Sequence, residues 1–480
     1  MGWQPDSREV WRKGSDMAEA THYDAIIIGS GQGGNPLAAA LSEKGKRTAM
    51  IERAAVGGTC VNYGCTPTKT MVASAEVAYL ARRAKDYGVG VGDVSVDMPA
   101  VRERKRDMVK SWREGSERRL REAKSIDLIR GEGSFVGPKQ VRVRMDDGSE
   151  RTLTADVIVI NTGLSVSVPP VKGLESVSWL DNASVMELDV VPEHLMVLGG
   201  GYVGLEFAQM FRRFGSRVTV IHRSQQLLST EDADIAGEVT KILEEDGIEI
   251  LLEAKTEAAA PAGRGIVLTV SHKGESRAVE GTHLLVATGR HPNTEKLNLT
   301  VAGITTDAKG FVSVNDKLET NVPGVYALGD VKGGPAFTHV SYDDYRILKA
   351  NLLDGGGSSK AGRVFPSCVF IDPQLGRIGL SEKEAAKLGK KVRVARLPMT
   401  SVARAMETSR SRGFMKALVD PETEQILGAA VLGEGGGEIM SMIQIAMMGR
   451  LKYTVLRDAD LAHPTLAESL NNLFSNFQPD

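Results

Sequence analysis

Tyr23-Asp24-Ala25-Ile26-Ile27-Ile28-Gly29-Ser30-Gly31-Gln32-Gly33-Gly34 is the stretch from which the rest of this 480-residue chain can be read. Its first half is a short apolar, β-branched run, the pattern of a buried parallel strand. It runs into G-x-G-x-x-G and then an Ala- and Leu-rich helical stretch, Pro36 to Lys44. In that strand–turn–helix setting the first glycine permits a tight turn and the second lets a pyrophosphate approach the backbone. The third lets helix pack on strand. The helix N-terminus offers N–H groups and partial positive charge to phosphates. A second strand, Arg47 to Ile51, ends in Glu52, placed to accept hydrogen bonds from a ribose diol.

The unit recurs. His194-Leu195-Met196-Val197-Leu198 leads into Gly199-Gly200-Gly201-Tyr202-Val203-Gly204, a helix, and the strand Arg217 to Ile221. One such glycine run is a weak signal, but two in the same context predict two dinucleotide sites. One ligand would stay bound and one would exchange. Glu52 follows Gly34 at the same 18-residue spacing at which His222 follows Gly204. A carboxylate would repel a ribose 2′-phosphate and a basic pair would attract it, so His222 and Arg223 predict NADPH at the second site, with NADH possible. A solvated basic turn is the alternative, and nothing basic follows at once in Ser224–Leu228.

Between the two units lies Gly57-Gly58-Thr59-Cys60-Val61-Asn62-Tyr63-Gly64-Cys65-Thr66-Pro67-Thr68-Lys69, ahead of a helical pattern from Met71 to Lys85. C-x4-C is wider than a zinc C-x2-C half, and no second Cys/His cluster completes four ligands. Two unrelated buried thiols remain possible. The glycine-rich approach and the Pro-containing helix start argue against that, because a helix N-terminus stabilises a thiolate. Only one further cysteine, Cys368, is present, so no disulfide framework exists.

The cysteine segment resembles the redox signature of the class I pyridine nucleotide–disulfide oxidoreductases, the family of glutathione reductase, dihydrolipoamide dehydrogenase and mercuric reductase. The likeness runs from about Tyr23 to Phe474 through several motifs in family order. It implies an FAD-dependent NAD(P)H oxidoreductase in which Cys65 is the thiolate against the flavin and Cys60 the interchange thiol that meets the acceptor. It further implies that Lys69 sits near flavin N5 with Glu206 as its partner, and that Tyr202 gates the nicotinamide. Gly29, Gly31, Gly34, Glu52, Gly58, Thr59, Thr162, Gly163, Gly329 and Asp330 would hold FAD, with Asp330 in Thr320–Asp330 on the ribitol chain. Gly199, Gly201, Gly204, His222, Arg223 and Gly289 would serve NAD(P)H. Ala287-Thr288-Gly289-Arg290 resembles one crossing between the nucleotide domains. At the other, the usual Ala-Thr-Gly stands as Asn161-Thr162-Gly163, with the glycine turn kept.

His463-Pro464-Thr465-Leu466-Ala467-Glu468 resembles the His–Glu pair that reaches into a partner's active site, where the imidazole handles the interchange thiol's proton and the carboxylate orients the ring. A homodimer with shared sites follows by implication. Within the family, Val61 to Thr70, Val340 to Ile347 and Leu470 to Ser475 resemble mercuric reductase and an allied copper-reducing branch associated with reactive chlorine. Against true mercuric reductase stand the ending Asn476–Asp480, which lacks a Cys-Cys pair, and the retained His463. Cys60 and Cys65 alone could bind a soft ion such as Cu or Hg in passing. Reduction of a small disulfide, or dihydrolipoamide dehydrogenase-like chemistry, is the alternative acceptor reading. A redox-inert flavoprotein with a binding role is a third, which Cys60, Cys65, Lys69, Glu206 and His463 together disfavour.

The expected fold is α/β: two Rossmann-like dinucleotide-binding domains, for FAD and NAD(P), followed by a C-terminal α+β dimerisation domain. The expected boundaries are a polar extension over 1–20, with Met17 a candidate natural start, then FAD-binding segments 21–165 and 288–358 around an NAD(P) domain, 166–287. The interface domain would cover 359–480, after the Gly- and Ser-rich linker Asp354–Ser359. The charged segment Val101 to Lys124 reads as long exposed helices. A formal charge of −2 gives no general attraction to nucleic acid or anionic membrane. No apolar run approaches the roughly 18 residues of a membrane span. The start lacks a secretory h-region, and Asp6 breaks the myristoylation pattern, so the expected location is cytoplasmic.

Overall fold

The computed structural model describes residues 20–479, so the expected polar extension and Met17 lie, Ala20 apart, outside the described residues. Thr21–Ile28 runs parallel between Thr48–Glu52 and Glu150–Ile160, with Ala25 opposite Thr48 and Ile28 opposite Ile160. Ile126–Gly137 extends this layer beyond Thr48–Glu52, and Val325–Ala327 adds the other edge. The two long strands then continue antiparallel against Gln140–Met145. Thr48–Glu52 is buried along its whole length. That is the reason the apolar, β-branched runs carry no polar alternation: helices or strands cover both faces.

The second parallel sheet repeats the plan. His194–Leu198, wholly buried, sits between Arg217–Ile221 and His283–Val286, with Glu249–Leu251 and Trp179–Leu180 outside them. A three-stranded antiparallel layer, Ala254–Ala262, Gly265–His272 and Glu275–Gly281, accompanies it. The two chain crossings between the parallel sheets pair with each other, Leu164–Val166 antiparallel to Arg290–Pro292. Each enters that ribbon through a glycine with positive φ, +67° at Gly163 and +134° at Gly289. Residues 367–433 form a five-stranded antiparallel sheet covered by the helix Gly436–Met448. The architecture is the expected one, two Rossmann-like units and a C-terminal α+β unit.

Two local expectations are corrected. The helix expected from Met71 starts at Cys65 and ends at Arg82, so Cys65 itself occupies its first turn. The charged segment is one helix, Met98–Glu122, capped by the Asp97 carboxylate accepting from Ala100 N–H, with Pro99 in the first turn. It is not a wholly solvated face. Met98, Lys105, Val109, Ser116 and Leu120 form a buried stripe at spacings of seven and four residues. Its basic residues act as anchors: Lys105 and Arg106 pair with Glu187, and Arg104 donates to the Thr70 carbonyl. The Cys65–Arg82 helix shares one core with Tyr202–Phe214, where Met71 and Ala75 join Phe207 and Phe211. That packing sets the two helix starts, and so the reactive side chains, side by side. Among the described residues no helix is long and apolar enough to cross a membrane.

Candidate active site

The cysteine segment is pressed onto the first glycine turn. Gly57 and Gly58 take φ of +106° and +63°, and a Cβ on Gly58 would stand 2.8 Å from the Gly31 Cα. Asn62 then ties the loop down. Its Nδ2 donates to the carbonyls of Val56 and Gly58, both at 3.0 Å, and its Oδ1 accepts from Arg113 Nε at 2.8 Å. Cys60 lies in the short helix Gly58–Asn62 and Cys65 opens the next, both as free thiols. Cys65 is held down to about 5, first by a hydrogen bond from Cys60, against the opposing effect of burial, and further by Thr338 and the Lys69 charge. Its place in the first turn of an 18-residue helix favours the anion as well. The same pairing, with burial, pushes the Cys60 thiol up. The pair is therefore asymmetric, a thiolate beside a thiol. Thr338, whose Oγ1 lies 3.5 Å from Cys65 Sγ, was invisible to the sequence reading because it stands 273 residues away.

Lys69 projects from the Cys65 helix to Glu206 on its neighbour, Nζ to Oε2 2.7 Å, with the Glu206 side chain 3% exposed. The other carboxylate oxygen accepts from Phe370 N–H at 2.9 Å, and Lys69 Nζ sits 4.7 Å over the Phe370 ring. Glu206 is thus satisfied at both oxygens, as a buried carboxylate must be. Tyr202 begins the Glu206 helix, 6.0 Å from Phe337, which in turn stacks on His339. Cys368 lines the same cavity but is pushed up to about 12, first by burial and then by the Glu206 charge, so it stays a thiol.

These groups line one cavity of about 1010 Å³. Gly29, Gly31, Glu52, Gly58, Thr59, Thr162, Gly163 and Asp330 line it too. Gly34 lies beneath it, packed so closely that a Cβ there would stand 2.5 Å from the Gly29 carbonyl. Gly329, with φ +69°, is held by its N–H donating to Asp344, a fully buried carboxylate that also pairs with Lys332 and Arg363. The stretch Val340 to Ile347 stands out in the sequence, but this support by Asp344 was not legible there, since Gly329 and Arg363 lie outside that stretch. Glu52 is buried at the end of its strand, its Oε2 accepting from Ser30 N–H and Oγ. Asp330 is pushed up by burial in the cavity wall. A glycine turn without room for side chains, a strand-end carboxylate and a cavity of this size fit an FAD.

The second glycine turn stands apart. Gly199, Gly201, Gly204, His222, Arg223 and Gly289 do not line the large cavity, which reaches the helix after this turn through Tyr202, Val203, Glu206 and Phe207. A Cβ on Gly199 or Gly204 would strike backbone oxygen at 2.4 or 2.2 Å, whereas at Gly201 it would meet nothing within 4 Å. The turn is tight behind and open in front, which fits an approaching pyrophosphate. His222 departs from its expected role. Its Nδ1 accepts from Gly200 N–H at 3.1 Å, and burial lowers its pKa, so the ring is neutral and braces the turn. The expected basic pair becomes one exposed cation, Arg223.

His463 and Glu468 are hydrogen-bonded, Nδ1 to Oε2 2.9 Å, on an exposed surface. Neither lines the cavity that holds Cys60 and Cys65. Elsewhere among the described residues, Asp232, Asp234 and Glu382 converge as metal ligands might, but the Lys416 ammonium fills the space at 2.7–2.9 Å from each.

Residues 23–344 match the family described as "Pyridine nucleotide-disulphide oxidoreductase", and residues 365–474 match its dimerisation domain. The chain is 36% identical to the probable pyridine nucleotide-disulfide oxidoreductase RclA of Escherichia coli, over 94% of this chain and 99% of that one. It is 33% identical to a mercuric reductase of Staphylococcus aureus, over all of this chain and 87% of the relative. Among solved structures, the Cu(II) complex of the HOCl-induced flavoprotein disulfide reductase RclA from Escherichia coli superposes with a TM-score of 0.87. The match has 35% identity over 95% of this chain and 99% of that one.

Proposed function

The chain belongs to the pyridine nucleotide–disulphide oxidoreductase family, as an NAD(P)H-dependent flavoprotein oxidoreductase, and from that premise we propose that it is an NADPH-driven reductase of a soft metal ion, Cu(II) or Hg(II). The observation that carries this reading is the asymmetric pair in one cavity, Cys65 as thiolate and Cys60 as thiol. FAD, when bound, supplies a two-electron redox centre between nicotinamide and sulfur. Gly29, Gly31, Glu52, Thr162 and Asp330 would hold it. Lys69 places its ammonium beside Cys65, and Glu206 keeps it aimed. The Thr338 hydroxyl, 3.5 Å from the sulfur, donates to the thiolate. Closure of Cys60 and Cys65 to a disulfide releases two electrons and the remaining thiol proton. Those electrons reduce one Hg(II) to Hg(0), or two Cu(II) to two Cu(I). Thiolate sulfur suits both ions.

The acceptor site is completed across a homodimer. Glu468 takes His463 Nδ1, which leaves Nε2 to face an acceptor held at Cys60 of the other chain, as a base for its proton or as a ligand to copper. This pair also favours the second reading, reduction of a small disulfide, because a thiol leaving group needs a proton. The cell compartment assigned is the cytoplasm. NADPH is assigned over NADH on Arg223 and on the absence of a carboxylate at position 222. A screen of NADPH oxidation against Cu(II), Hg(II), lipoamide, glutathione disulfide and quinones tests the proposal. Metal-dependent turnover that vanishes in Cys60→Ser is expected. Turnover confined to the disulfides or quinones would overturn the metal reading.

A further inference from the structure

We propose that Asn161 is a positioning residue for FAD, the clamp that fixes the first peptide of the phosphate-binding turn and joins it to the second FAD segment. The Gly29–Ser30 peptide is held at both ends. Asn161 Nδ2 donates to the Gly29 carbonyl at 2.9 Å, and the Ser30 N–H donates to Glu52 Oε2 at 2.9 Å. With carbonyl and amide both committed, this peptide plane cannot rotate, and the N–H groups that follow it, through Gly31 to Gly34, inherit a fixed direction. Gly29 has a φ of +104°, a conformation from which a free glycine would readily depart.

The Asn161 amide also crowds two glycines of the turn. A Cβ would meet Asn161 Nδ2 at 2.6 Å from position 34 and at 3.2 Å from position 31. On the other side, a Cβ on Gly329 would lie 3.1 Å from Asn161 Oδ1. One side chain, only 8% exposed, thus bonds the first glycine turn and lies close enough to Gly329, 300 residues after Gly29 in the chain, to exclude a side chain there, along the wall of the cavity.

Asn161→Ala and Asn161→Asp proteins, purified with FAD, test this by FAD release on dilution, followed as flavin fluorescence, and by melting of apo and holo forms. In Asn161→Ala the FAD dissociation constant should rise about tenfold, the scale of one buried hydrogen bond. The gap between holo and apo melting temperatures should narrow. Asn161→Asp loses the donor and sets a carboxylate beside the pyrophosphate turn. Its FAD affinity should fall further and recover in part as salt is raised, which the alanine variant should not do. If both variants hold FAD as the parent does, or lower apo and holo melting equally with FAD release unchanged, Asn161 is only a structural residue and the proposal falls.

Discussion

At pH 7 a thiol held down to about 5 is thiolate in all but roughly one molecule in a hundred, while its hydrogen-bonded neighbour keeps its proton. The chemistry of the site rests on that difference. In NADPH-reduced protein, alkylation of Cys65 by iodoacetamide should therefore show a midpoint near pH 5, with Cys60 far slower at every pH below 8. Thr338→Val removes a donor to the anion, so the midpoint should rise by about one to two units, the equivalent of a hydrogen bond to a charged group. A parent midpoint near 9, the ordinary thiol value, would contradict the assignment of Cys65 as the thiolate. Cys60, Cys65, Lys69 and Glu206 could be singled out because each lies in a motif that resembles the family's, and the structure brings the four to one cavity. The contacts of Thr338, Asn161 and Asp344 were not legible, because their partners come from distant segments, although Asn161 and Asp344 lie in stretches that the motifs single out. His222 was misread for a related reason. Spacing placed it at the strand end, but whether its ring meets solvent or the glycine turn is a matter of packing.

The strand Arg217–Ile221 shows how far an element can carry a functional reading. Its β-branched run and the preceding glycine turn were enough to predict the strand and the residues that leave its end. They could not predict that Gly200 N–H would take His222 and leave Arg223 as the single exposed cation. The consequence is specific. Arg223→Ala should raise the KM for NADPH about tenfold and leave that for NADH within about twofold, since a partly exposed ion pair with phosphate is worth on the order of 1 kcal/mol or somewhat more. An unmodified enzyme that prefers NADH in kcat/KM would refute the reading of this strand end. The Met98–Glu122 helix was the harder element. Nine basic and five acidic side chains over 25 residues suggested a solvated rod, yet its sparse stripe of Met98, Lys105, Val109, Ser116 and Leu120 is buried. A buried lysine and serine blur the hydrophobic period, so the packed face could not be read from polarity alone.

At the scale of the whole molecule, two glycine turns at matching spacing were sufficient to predict two Rossmann-like units. The three-stranded layer over 254–281 carries no comparable motif and was not foreseen. The helix Gly436–Met448 leaves Ile445 and Met448 70% and 75% exposed, two large apolar side chains on the surface of a single chain. The matched dimerisation domain over 365–474 contains this helix and the His463–Glu468 pair. In the proposed enzyme each acceptor site joins Cys60 and Cys65 of one chain to His463 of the other. Mixed dimers of a Cys65→Ser chain and a His463→Ala chain, co-expressed with different tags and purified by both, test it with whichever acceptor turns over fastest. Each mutant homodimer has two defective sites, with loss of a positioned acid–base group costing about 10²–10⁴-fold. The mixed dimer rebuilds one complete site of two, so its rate should recover to about half that of the parent. A mixed dimer no faster than the average of the two mutant homodimers would show that the histidine does not serve the neighbouring cysteine pair, and the shared site would be refuted.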